Sequence, residues 1–102
     1  MKDPIHPVHA VLDDVWLDLA DLCRLTGVTE VWVRQRLEDG LLKSEGFQVR
    51  EAPRFNVHDL HRVRRMASLE RDFDAVPELA SLVIDLEQEL ARLRARLRRL
   101  GG

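Results

Sequence analysis

Seven apolar residues, Leu79, Val83, Leu86, Leu90, Leu93, Leu97 and Leu100, follow one another at spacings of 4, 3, 4, 3, 4 and 3. That alternation is a heptad seam, and only an α-helix places all of them on one stripe. At 1.5 Å per residue the seam runs for roughly 33 Å. A chain of 102 residues supports one small domain with an appendage, not two independent cores. The short helices that remain cannot cover so long a stripe, so its distal half is expected to meet another chain. The competing arrangement folds the stripe back on its own domain as an ordinary amphipathic face.

Charge bears on how two such helices would pair. From Glu70 to Glu89 seven acids accompany only Arg71, whereas from Leu90 onward Arg92, Arg94, Arg96, Arg98 and Arg99 meet no acid. With Leu90 at a and Leu93 at d, Glu87 and Arg94 take e positions, and Glu89 and Arg96 take g positions. An antiparallel partner sets Leu90 on Leu93, Leu86 on Leu97 and Val83 on Leu100. The same register brings Glu87 to Arg94 and Glu89 to Arg96. A parallel pair would crowd both arginine-rich ends together. The expectation is an antiparallel homodimer through residues 76–102.

Upstream, residues 1–10 contain Pro4 and Pro7 without a helical period and read as a flexible arm. Residues 11–75 read as one domain. Val11, Leu12, Val15 and Leu17 suit a short strand with Asp13 and Asp14 exposed. Asp18 can cap a helix that stops at Gly27, and Thr29 can cap a second that stops at Gly40. Two short helices joined by Thr26-Gly27-Val28-Thr29 make a helix-turn-helix, for which an ordinary helical hairpin is the alternative. Phe47-Gln48-Val49 and Arg54-Phe55 can pair as a small β-wing around Arg50-Glu51-Ala52-Pro53. Asn56 and Asp59 form a capping pair for a third helix that ends near Phe73-Asp74, and Pro77 opens the fourth.

Few residues carry candidate chemistry. His58 and His61 stand three apart on a helix but gain no third ligand at metal-site spacing. Cys23 lies beside Leu22 on an apolar face and reads as a small core residue. No catalytic triad, phosphate loop or zinc motif occurs, so neither enzyme activity nor a cofactor is expected. No apolar run approaches a membrane span, and nothing resembles a signal peptide, so a cytoplasmic protein is expected. DNA binding is the serious alternative, through Arg34 and Arg36 on the second helix and Arg50 and Arg54 at the wing. Against it, residues 1–59 hold 11 acids and 7 basic residues, a balance opposed to phosphate contact.

The segments 16–28 (WLDLADLCRLTGV), 38–42 (EDGLL) and 55–65 (FNVHDLHRVRR) together resemble the winged helix-turn-helix of the MerR group. Residues 69–73 (LERDF), followed by Pro77 and 79–86 (LASLVIDL), resemble more narrowly the CbpM chaperone-modulator branch of that group. The resemblance covers about residues 15–100 and rests on the order and spacing of the motifs. It implies a mainly α fold: a MerR-like winged helix-turn-helix with a small β-wing and a long C-terminal dimerisation helix. It also implies a bacterial regulator that binds the J-domain of a CbpA/DnaJ-like co-chaperone and blocks its work with Hsp70, near the nucleoid through that partner. Gln35 and Arg36 stand where DNA-binding MerR proteins usually carry aromatic residues.

A J-domain presents a basic helix, so an inhibitor covering it should offer acids. Two acidic surfaces qualify. One is Asp13, Asp14, Asp18 and Asp21, with Trp16 as an apolar anchor; the other is Glu70, Asp72, Asp74 and Glu78 at the junction of the third and fourth helices. For any one of these residues, a solvated face or a helix cap is the plainer explanation. As a cluster with an anchor, the first surface is the expected J-domain site.

Overall fold

The computed structural model describes residues 15–44 and 52–101. They contain four helices, α1 (Leu19–Thr26), α2 (Glu30–Glu38), α3 (Val57–Phe73) and α4 (Pro77–Gly101). Among the described residues no helix is long and apolar enough to cross a membrane. The arm, Asp13, Asp14, Phe47-Gln48-Val49 and Arg50 lie outside the described residues.

Each helix boundary has a local cause. The Asp18 carboxylate accepts from the Asp21 backbone N–H at 2.7 Å and starts α1. Gly27, at φ 79°, ends it, and its N–H donates to the Cys23 carbonyl at 2.8 Å. The Thr29 hydroxyl accepts from the Trp32 N–H at 3.1 Å and starts α2. Gly40, at φ 74°, turns the chain just beyond α2. Asn56 and Asp59 cap α3 reciprocally, each side chain accepting from the other's backbone N–H at 2.9 Å. Asp74, at φ 54°, is the one non-glycine residue with positive φ among those described. It stops α3, and Pro77 begins α4 at the position proline tolerates best.

The chain divides into two compact units, Met1–Arg64 and Arg65–Gly102, with the division inside α3. The first unit holds a core of Leu19, Leu22, Val33, Leu37, Leu42, Phe55 and Val63, with Leu17, Cys23, Val28, Trp32 and Leu60 packed against it. Phe55 sits in that core and pairs antiparallel with Leu17, through backbone bonds of 2.7 and 2.8 Å. The bridge joins two single residues, and the described residues contain no strand. In the second unit the buried side chains are Met66, Leu69, Ala80, Ser81 and Ile84. Its two helical segments are tied by a bidentate pair from Arg65 to Glu87, at 3.1 and 2.6 Å.

Two substitutions separate core from cap. Phe55→Ala should cost about 3–5 kcal/mol, because it leaves a cavity on the fully buried side. Thr29→Ala should cost about 1 kcal/mol, the usual loss for one helix cap. Denaturant unfolding of both variants measures the difference.

Candidate functional site

Among the described residues of the first unit, Arg36, Arg62 and Arg64 are turned to internal work. Arg36 is buried, 8% exposed, with its guanidinium 4.2 Å from the centre of the Trp32 ring. It is thereby removed from the DNA-reading set expected of α2. The physical reason is helical spacing: Arg36 follows Trp32 and Val33 by four and three residues, so it shares their inward face. The Arg62 Nε–H donates to the Leu41 carbonyl at 3.2 Å, and the Arg64 guanidinium donates to the Leu25 carbonyl at the same distance. A cation against the last carbonyls of a helix also opposes its dipole favourably, as Arg64 does for α1. Sequence reasoning missed both anchoring roles, because their acceptors are backbone groups about twenty and forty residues away.

The outward side is mixed. Trp16 is 46% exposed, and the Arg54 guanidinium lies over its ring at 5.2 Å. Asp18 is committed as a cap, and Asp21 holds Arg24 at 3.0 Å. Thus, of the expected acidic J-domain site, Trp16, Asp18 and Asp21 are described, and both carboxylates already have a partner in the chain. On α2, Glu30, Val31, Arg34, Gln35 and Glu38 are exposed, a face with two acids and one arginine. His58 and His61 are exposed on α3. Among the described residues no group of three His, Cys, Asp or Glu side chains is placed to share a metal. Cys23 is half-buried against the core, and burial raises its thiol pKa, with Glu30 adding to the effect.

In the second unit, the heptad seam lies open. Leu79, Leu86, Leu90, Leu93, Leu97 and Leu100 are exposed, and Val83 is half-buried. The buried residues of α4, Ala80, Ser81 and Ile84, form a separate stripe. The flanking acids have partners within the chain: Glu87 holds Arg65, and Glu89 holds Arg92. Arg94 and Arg96 remain exposed. The pairing of Glu87 with Arg94 and of Glu89 with Arg96 across two chains would therefore compete with existing contacts. Sequence reasoning missed the Glu87 contact because Arg65 lies on another helix, whereas Glu89 and Arg92 form an ordinary i, i+3 pair that spacing alone allows.

The Arg65 guanidinium, through its hydrogen bonds, lowers the Glu87 carboxyl pKa below the usual glutamate value. A carboxyl lowered on folding adds stability that is complete above its unfolded value. That contribution is lost as pH falls through the lowered one. Glu87→Gln should therefore flatten the acid limb of the thermal-stability profile below about pH 4.5 and leave the neutral limb parallel to that of the parent. Arg36→Ala should cost about 1–2 kcal/mol through lost ring and stem contacts. It should not alter retention on duplex DNA, which gel shift checks.

Residues 17–101 match the family described as MerR HTH family regulatory protein (MerR_2). No curated protein and no solved structure gives a significant match.

Proposed function

The chain belongs to the MerR HTH regulatory family, and from that premise we propose that it regulates through a protein partner. That partner is the J-domain of a CbpA/DnaJ-like co-chaperone, which the chain holds away from Hsp70, as the resemblance to the CbpM branch implies. The observation that carries this reading is the internal commitment of the arginines. With Arg36 buried and Arg62 and Arg64 bound to backbone carbonyls, α2 offers Arg34 among Glu30 and Glu38. Phosphate contact needs several cations on one face. A basic protein surface needs the reverse.

The family's description favours a second reading, a DNA-binding transcriptional regulator. Exposed Arg34 and Gln35 on α2 are residue types that read base edges, and Arg54 stands near the expected wing. One titration separates the two. At the same moderate salt, the chain should bind a purified J-domain and weaken as salt rises, while mixed duplex DNA shows no saturable binding. It should also slow J-domain-stimulated ATP turnover by Hsp70. Saturable DNA binding together with no J-domain binding reverses the assignment.

The exposed seam supports an antiparallel homodimer in the same proposal. Each leucine it buries contributes about 1.5–3 kcal/mol, far above the roughly 0.2–1 kcal/mol of an exposed ion pair. Apolar contact therefore drives association, and alignment by charge requires Glu87 and Glu89 to exchange Arg65 and Arg92 for a partner's arginines. Changing Leu90 and Leu97 to lysine should halve the mass measured in solution. An unchanged mass defeats the dimer.

A further inference from the structure

The corner between α3 and α4 holds an apolar patch that the compact core does not use. Phe73 is 71% exposed, Val76 59%, Leu79 50% and Leu82 52%. Phe73 ends α3, Val76 lies in the three-residue connection 74–76, and Leu79 and Leu82 sit one turn apart on α4. Scattered exposed leucines are ordinary on a soluble chain; four large apolar side chains gathered at one corner are not.

The chain around the patch is predominantly acidic. Between Glu70 and Leu82 the chain carries Glu70, Asp72, Asp74 and Glu78 against Arg71 alone. Arg71 is bound to Asp72 at 3.1 Å. Among the described residues, Asp74 and Glu78 are in no ion pair. This contrasts with the first acidic surface, where Asp18 caps α1 and Asp21 holds Arg24. Asp74 and Glu78 beside exposed apolar anchors complement one chemistry: a helix with leucine-type residues on one face and lysine or arginine beside them.

A second copy of this chain suits the corner less well. In the antiparallel register Val83 meets Leu100, and the patch lies on the N-terminal side of that pair. That register brings a partner's Arg98 and Arg99 opposite Asp85 and Ile84, at the edge of Leu82, whereas Phe73, Val76 and Leu79 lie outside the paired layers.

We propose that the Phe73–Leu82 corner is the docking surface for a basic amphipathic helix of a partner protein. This deepens the J-domain reading by moving the contact from the Trp16 surface to the α3–α4 corner, and it rests on that reading for the partner's name only. Phe73, Val76 and Leu79 enter the partner's apolar stripe as anchors. Asp74 and Glu78 face its cations and set its direction.

The test uses the full chain and two short synthetic helices, one with leucines at helical spacing among lysines, the other with glutamates for the lysines. Amide shifts should report the basic helix at residues 70–82, and affinity should fall as salt rises. Phe73→Ser with Val76→Ser should weaken it about tenfold or more, and so should Asp74→Asn with Glu78→Gln. Asparagine keeps the positive φ at position 74, and all four side chains are exposed, so an unchanged helix signal in circular dichroism checks the fold. Unchanged affinity in either double variant, shifts centred elsewhere, or equal binding of the acidic helix overturns the proposal. So does a halved mass for Phe73→Ser with Val76→Ser, which would assign the corner to a second copy. A J-domain titration runs in parallel: basic-helix binding at the corner without J-domain binding sinks the chaperone reading and leaves the surface standing.

Discussion

The first unit depends on one pairing of extended backbone, Leu17 with Phe55. Along an extended segment, consecutive side chains point to opposite sides. Drawing Leu17 and Phe55 into the core therefore turns Trp16 and Arg54 outward, where the guanidinium lies over the indole ring. The pairing also anchors the segment that leads into Asn56 and hence the start of α3. A core residue, an exposed stack and a helix entry thus share one two-hydrogen-bond contact.

Arginine placement decides how that scaffold meets the outside. A helix-turn-helix that grips phosphate leaves its cations free. Here Arg62 and Arg64 reach carbonyls at Leu41 and Leu25, and Arg36 stacks on Trp32. The Arg62 and Arg64 contacts tie α3 to the segment after α2 and to the end of α1, and the Arg36 stack stays within α2.

Most of the helical frame was legible in the sequence because helix ends are written locally. Asp18, Thr29, Gly27, Gly40, the Asn56–Asp59 pair and Pro77 each act within four residues of where they stand. The family resemblance followed from the order of those same signals. What stayed hidden depends on contacts between distant segments. The turn of Arg36 inward, the carbonyl clamps and the Arg65–Glu87 pair need the fold before they have partners. The open seam was visible as a period. That Ala80, Ser81 and Ile84, not the leucines, would be buried was not, since both stripes satisfy helical spacing.

Asp74 combines two duties that most proteins divide. Its φ of 54° makes the turn after α3, a conformation that most side chains resist and that Asn, Asp and Gly accept. Its carboxylate also stands on the rim of the exposed corner. Drift at this position is therefore channelled. Glycine or asparagine preserves the path of the chain and discards the charge, whereas glutamate preserves the charge and strains the path. The residue can change without penalty only along one of its two duties, so geometry itself restricts how that surface can evolve.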